Sequence, residues 1–363
     1  MTPPAHTVGI IGLGYGRAHV PAFQAAGCRV VAVCQRDQAA AKTIADRYGV
    51  PQVFGRWEDL LERAKPEIVV IATPPHLHHA IALAAFAQGA HVLCEKPVAM
   101  TAIEARAMVE AGTRARRVAM TGFNWRFTPA MQELHARVRD GAVGRPLHLA
   151  LRWLGSRWAE ESAAATWRMD RAQAGHGAMG DMGVHLIDLV RWSFGEFRRV
   201  AAHAGIAYPS RGAPGVGRPP DAEDYCTLLG ELDSGAQATL TVSRIAHGAN
   251  EHTLEAYGTK GAVRYRITRE GPRWYEGELT AAASGKGFEP VTPRTSAPPG
   301  AGEGDPLEIQ GKATIAPLVR ELLRAIESGG AASPSLADGM RAQAVLDAVL
   351  AAASRGGWVD VAR

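Results

Sequence analysis

The chain has 363 residues, and its 40 lysines and arginines against 36 aspartates and glutamates leave a net charge of +4 that is scattered rather than clustered, which argues against a nucleic-acid groove. Hydrophobic residues make up 47%, yet no apolar run reaches eighteen residues, so a water-soluble protein that neither crosses nor binds a membrane is expected. Four cysteines (28, 34, 94 and 226) form no CxxC pair, which excludes a disulfide scaffold or zinc site and predicts a cytoplasmic protein of about two domains.

Short β-branched runs at residues 8–11, 30–34, 68–71, 90–94 and 118–121 alternate with helical patterns. Asp37 is placed to cap a helix that stops near Gly49, Gly89 stops another over 78–88, and Thr101 with Glu104 has the capping-box spacing. Strands alternating with helices predict right-handed crossovers and an α/β, doubly wound parallel sheet.

The first strand runs into GLGYGRAH at 12–19. Gly12, Leu13, Gly14, Tyr15 and Gly16 form a strand-to-helix turn whose backbone can approach a pyrophosphate. The spacing is GxGxG, one residue short of the usual fingerprint, so the turn is expected to be tighter and the phosphate-facing glycine is left open. The second strand ends in CQRD, where Gln35 is neutral and Arg36 could meet a 2′-phosphate. This leans toward NADP over NAD, unless Arg36 only stacks on the adenine and both cofactors bind.

Only six lysines occur: 42, 65, 96, 260, 286 and 312. Lys96, in CEKP at 94–97, falls at the carboxyl edge of the sheet, where ligands bind in this architecture, and Pro97 ends the strand. A lysine partly withdrawn from water there can move a proton, although pairing with Glu95 at the surface is the plain alternative. His76, His78 and His79 point different ways from a helix start, so capping and solvated roles are preferred and no metal is expected.

Beyond residue 123, stretches 147–154, 225–232, 236–245, 252–257 and 262–268 read as strands of an antiparallel or mixed sheet. Between them lies AGHGAMGDMGVHLIDLVRW at 174–192. On a regular helix Asp181, His185 and Asp188 share one face, and a carboxylate beside an imidazole suits a general base for an alcohol proton. A metal site or a satisfied buried network would use the same three side chains. Trp153, Trp158, Trp167 and Arg168 could give a pocket apolar faces and a cation, or simply belong to the core. Residues 208–221 and 281–306 read as long loops, and an Ala-rich helix is expected over 336–353.

GLGYGRAH, ATPPHLHHAIALAAFAQGAHVLCEKPVAMT, GFNWRF and WRMDRAQAGHGAMGDMGVHLIDLVRW occur in that order. Together they resemble the Gfo/Idh/MocA (glucose-fructose oxidoreductase/inositol dehydrogenase) family over nearly the whole chain. The shortened glycine turn, Gln35, and His176 where glycine is usual are departures. The resemblance implies a Rossmann domain over 1–122 and an α+β domain over 123–363. The second domain would carry a large open sheet that often makes homodimer or homotetramer contacts, with the C-terminal helix packing back on the first.

It also implies cofactor contacts at the glycine turn, Gln35, Arg36, Thr73, Pro74, His78, Glu95 and Lys96, and catalytic roles for Lys96, Asp181 and His185. By the same resemblance Asn124, Trp167 and Arg168, with His185, line the substrate side, and the Lys96–Pro97 bond is often cis. The implied activity is NAD(P)-dependent hydride transfer at a secondary alcohol of a sugar, inositol or related polyol. A cofactor-retaining glycoside hydrolase and a non-catalytic nucleotide- and sugar-binding regulator are the alternatives within the family.

Overall fold

The apolar runs of the first third become strands β1 (Thr7–Ile11), β2 (Arg29–Cys34), β3 (Gln52–Phe54), β4 (Ile68–Ile71), β5 (His91–Cys94) and β6 (Ala119–Thr121) in the computed structural model, which describes residues 6–212, 219–271 and 273–363. All pairings are parallel, in the order β3-β2-β1-β4-β5-β6. Val8, Ile10, Val92, Leu93 and every residue of β4 are fully buried, as strands covered on both faces require. Each such side chain contributes roughly 1.5–3 kcal/mol by leaving water. Strand β3 is three residues long and carries too short a pattern to be read from sequence.

The crossovers are α1 (His19–Ala25), α2 (Gln38–Tyr48), α3 (Trp57–Ala64), α4 (His78–Ala87) and α5 (Ala102–Ala115). Asp37 caps α2 by accepting the Ala40 N–H at 3.0 Å, and Gly49 ends it in the left-handed conformation. Thr101 caps α5 by accepting the Glu104 N–H, while the Glu104 carboxylate reaches back to the Met100 N–H. The strand order reverses between β1 and β4, whose ends pair Ile11 with Ile71, and this switch point sets the glycine turn beside Thr73.

The chain then enters α6 (Pro129–Arg139), β7 (Pro146–Gly155), α7 (Arg171–Ala174), one π-helical turn over Met179–Gly183, and α8 (Val184–Phe194). Strands β8 (Phe197–Gly205), β9 (Tyr225–Leu232), β10 (Gln237–Ser243), β11 (Asn250–Gly258), β12 (Gly261–Thr268), β13 (Glu278–Ala283) and β14 (Glu289–Pro290) follow. After them come α9 (Pro306–Gln310), α10 (Ala316–Ser328), α11 (Leu336–Arg355) and β15 (Val359–Asp360).

The second sheet is mixed, in the order β14-β13-β12-β11-β7-β10-β9-β8-β15, with β7 and β10 parallel and the other pairs antiparallel. Alternation sets its faces: in β12 Val263, Tyr265 and Ile267 are buried while Arg264 and Arg266 are exposed. Strands β13 and β14 lie in or against the stretch read as a loop over 281–306, and residues 213–218 of the other loop lie outside the described residues.

Two compact units result: Met1–Asn124 with Pro298–Met340, and Trp125–Ala297 with Arg341–Arg363. Residues 298–340, which the sequence pattern assigns to the second domain, therefore pack within the first unit. Tyr48 donates its hydroxyl to Glu308 at 2.6 Å and Thr121 donates to the Ser335 carbonyl at 3.1 Å. Among the described residues no helix is long and apolar enough to cross a membrane.

Candidate active site

The glycine turn divides its work by position. Gly12 has φ +92°, and a Cβ there would stand 2.5 Å from the Ala72 carbonyl oxygen, so only glycine fits against the end of β4. A Cβ on Gly16 would stand 2.8 Å from that of Ala72, which likewise holds the start of the helical segment against β4. A Cβ on Gly14 would meet nothing within 4 Å, so this glycine faces the open side where a ligand's phosphates can approach. The helical segment begins without a side-chain cap or an acidic residue in its first turn, which leaves its N-terminal dipole for an anion. Beside it the buried Thr73 hydroxyl has no hydrogen-bond partner among the described residues. An open glycine, an uncapped helix start and an unsatisfied hydroxyl fit a bound dinucleotide.

Other residues of this half act more indirectly than the sequence implied. Leu13 is buried, so it offers only backbone, and the Tyr15 hydroxyl accepts from Gln310 at 2.9 Å. Gln35 donates its N–H to the Phe54 carbonyl and Arg36 is exposed. Asp37 is engaged in capping, so the end of β2 presents no acid to a ribose.

His78, expected at the cofactor, is fully buried, with its two ring nitrogens 2.8 Å from the Thr73 carbonyl and 3.0 Å from the Pro97 carbonyl. Burial, the largest influence, pulls its pKa below the ordinary imidazole value. The ring thus ties the Thr73–Pro74 turn to the Lys96–Pro97 peptide, which is cis. Glu95 is also turned inward: one oxygen lies 2.8 Å from His19 Nε2, the other accepts the Lys96 N–H at 3.3 Å, and a Cβ on Gly122 would stand 2.7 Å from it. It sets the backbone from which the partly buried Lys96 projects. His19, at the start of α1, was not singled out from sequence, because its partner is 76 residues away. Asn124 is buried and donates its amide to Thr314 at 2.6 Å.

In the second unit, Glu223 holds the segment that carries the predicted catalytic pair. Its carboxylate accepts the N–H groups of Gly177 (2.8 Å) and Met179 (3.1 Å), and its carbonyl accepts that of Ala178 (2.8 Å). A Cβ on Gly177 would lie 1.9 Å from that carbonyl oxygen, so the approach requires glycine. Asp181 stands in the π-helical turn and accepts from Arg168 Nε at 3.4 Å. The Arg168 guanidinium lies over the Trp167 ring at 4.3 Å, and its carbonyl is held by Arg244, which is buried and paired with Asp224 at 2.8 Å. His185, the second residue of α8, is buried with its ring centre 5.5 Å from that of Trp153 and 6.4 Å from that of Trp125.

Two readings that the sequence leaves open are decided here. Asp188 is committed to Arg126, whose guanidinium grips it at 2.7 and 2.5 Å with both side chains buried. Trp158 belongs to the core, 6% exposed with Arg244 at 5.6 Å from its ring centre, rather than offering a pocket face. Trp125 and Arg269, which adjoin Trp153, and Trp274, which adjoins Trp125, are not legible in the sequence because they come from separated segments.

A doubly wound sheet with an open glycine turn, followed by a unit whose mixed sheet carries an aspartate and a histidine on a helix start, defines a dinucleotide-dependent oxidoreductase. Residues 6–123 match the family described as "Oxidoreductase family, NAD-binding Rossmann fold", and residues 131–264 match the GFO/IDH/MocA C-terminal domain. The chain belongs to the GFO/IDH/MocA family of NAD-binding oxidoreductases. It is 32% identical to levoglucosan dehydrogenase of Pseudarthrobacter phenanthrenivorans over 388 aligned positions, covering 98% of this chain and 97% of the relative. Inositol 2-dehydrogenase of Acidothermus cellulolyticus is 34% identical over 264 positions, 70% of this chain and 71% of that one.

Among solved structures, levoglucosan dehydrogenase in complex with NADH and levoglucosan superposes with a TM-score of 0.88 at 30% identity, covering 99% of this chain and 100% of the other. An oxidoreductase domain protein from Kribbella flavida gives 0.89 at 29% identity with the same coverage.

Proposed function

We propose that this oxidoreductase is a dehydrogenase for a secondary hydroxyl of a sugar or cyclic polyol, with Lys96, Asp181 and His185 serving the reaction. The observation that carries the reading is the likeness of the chain, over nearly its whole length, to levoglucosan dehydrogenase, in a chain that places Lys96 after β5 and Asp181 and His185 at the approach to α8. The glycine turn and Thr73 would hold NAD, whose oxidised nicotinamide would supply the hydride acceptor for the carbinol carbon. His185 takes the hydroxyl proton, Asp181 orients the segment from which His185 projects, and Lys96 stabilises negative charge on the oxygen as the ketone forms.

A panel of levoglucosan, myo-inositol, D-glucose, D-xylose and D-glucuronate with NAD and NADP, followed by absorbance of the reduced cofactor, tests this. At least one sugar should reduce the cofactor. Sugar release without net reduced cofactor would instead favour a cofactor-retaining hydrolase, and no reaction with any member would defeat the dehydrogenase reading.

The finer cofactor reading is that NADP is used at least as well as NAD, supported by the exposed Arg36 and the absence of a free acid at the end of β2. One charge-assisted contact to a 2′-phosphate is worth about tenfold or more. Arg36→Ala should therefore lower kcat/KM with NADP about tenfold more than with NAD, and an equal loss with both would refute the lean. On β9 Tyr225 and Leu229 are exposed while Cys226 and Leu228 are buried, and we read that open face of the sheet as the contact of a homo-oligomer, which light scattering can decide. The four cysteines are free and buried, in keeping with a reducing, cytoplasmic setting.

A further inference from the structure

His19 opens α1 just after the glycine turn, and its N–H donates to the Gly16 carbonyl. The side chain is fully buried between the rings of Tyr15 and Phe23, whose centres lie 6.1 and 6.4 Å from its own. Among the described residues the imidazole makes one hydrogen bond: Nε2 lies 2.8 Å from Oε1 of Glu95, while Nδ1 is buried without a partner. A proton on Nδ1 would be a buried donor with nothing to accept it, so the ring carries its proton on Nε2 and donates it to the carboxylate.

Glu95 is itself closely held. It is 6% exposed, its Oε2 accepts the Lys96 N–H at 3.3 Å, and a Cβ on Gly122 would stand 2.7 Å from Oε1 and 3.0 Å from Oε2, so the carboxylate lies against bare backbone. The Glu95 N–H donates to the Ile71 carbonyl and the Gly122 N–H to the Cys94 carbonyl, each at 2.8 Å, which ties both residues to the edge of the sheet. One position further on, the Lys96 N–H is bonded to a side chain instead of a neighbouring strand. A glutamate side chain has several torsions, and Gly122 confines it on one side only. The imidazole supplies the hydrogen bond that keeps the carboxylate turned toward the Lys96 N–H.

We propose that His19 is a positioning residue for Lys96: by donating to Glu95 it holds the carboxylate that fixes the Lys96 backbone, and so sets where the ammonium stands beside the reacting oxygen. The inference rests on the role read for Lys96 in the dehydrogenase and extends it to a residue of the helix that follows the glycine turn. A misplacement of about 1 Å in a reacting group costs on the order of a hundredfold in rate, so the loss of this support has a measurable consequence.

The test begins with His19→Leu, which fills much of the space of the ring and removes the donor. With the best sugar of the panel it should lower kcat about tenfold or more, while the KM for the sugar and the Kd for NADH each change less than about threefold. His19→Gln keeps an N–H donor the same number of bonds from the backbone as Nε2, and it should recover most of kcat. A residue that only filled space would give the opposite order, because leucine is the better apolar filler.

A double variant shows whether the effect passes through Lys96. In a Lys96→Ala background His19→Leu should cost less than about threefold in single-turnover rate, because the group it positions is gone, whereas independent effects would multiply. Should His19→Leu fail to fold or to bind NADH, His19→Asn, whose amide is one bond shorter and falls short of Glu95, takes its place in the cycle. Losses that multiply across the two backgrounds, a loss of less than about tenfold on removing the donor, or no recovery in His19→Gln overturns the positioning role and leaves the dehydrogenase reading intact. Normal turnover in Lys96→Ala removes Lys96 from the reaction and this inference with it.

Discussion

His185→Ala and Lys96→Ala should each lower kcat by a hundredfold or more with the best sugar of the panel, while NADH binding is largely retained. General acid–base residues typically contribute 10²–10⁴ in rate, and each of these two is invoked at one proton or one developing charge. The separation of effects has a structural basis. The glycine turn and Thr73 stand in the first unit, whereas His185 belongs to the second, where Glu223 and Trp153 fix its surroundings. Removing the imidazole therefore should not disturb the nucleotide half. Lys96 is the closer case, since its N–H is bonded to Glu95, but that bond uses the backbone and survives truncation of the side chain. Single-turnover absorbance and NADH fluorescence titration measure the two quantities independently. Normal turnover in both variants would remove these residues from the mechanism, and loss of NADH binding in His185→Ala would show that its effect is not on the chemical step.

Most of the parallel sheet was legible because its longer strands are rich in β-branched residues and buried on both faces, so they read as short apolar runs, whereas β3 is too short to show one. The faces of the second sheet showed through alternation, as in β12, but its strand order did not. The parallel pairing of β7 with β10 joins Leu149 to Ala238, and nothing local specifies a contact over such a separation.

The proposed site divides the same way. The glycines, Lys96, Asp181 and His185 stand out in the sequence by residue type and spacing. His78 reads from sequence as a capping or solvated histidine, and its full burial could not be seen there because the carbonyl that meets each ring nitrogen is supplied by the fold. The tryptophan rings around Arg269 come from residues spread from 125 to 274, and no single window contains them.

Asp188 marks where helical periodicity misleads, and its replacement should strongly destabilise the second unit. Counting 3.6 residues per turn through 181, 185 and 188 assumes a regular helix, but the turn over Met179–Gly183 is π-helical, which alters the phase of Asp181 against α8. Asp188 instead meets Arg126, 62 residues earlier, through two charged hydrogen bonds, with 1% and 3% of the two residues exposed. The guanidinium also lies 5.3 Å from the ring centre of Trp192.

Taking away one member of such a pair leaves the other charged, buried and without its compensating partner, a cost of about 3–5 kcal/mol. Asp188→Ala should therefore lower the melting temperature by roughly 10 °C at about 2–4 °C per kcal/mol for a folding unit of this size. The double variant Arg126→Met with Asp188→Leu removes both charges and fills their volume with apolar side chains. It should recover most of that loss, because an apolar pair of similar volume is often neutral or stabilising. Differential scanning calorimetry of the two variants distinguishes the accounts. If the double variant melts lower than Asp188→Ala, burial of an unpaired charge is not the cause, and Asp188 would have to act through another contact of α8.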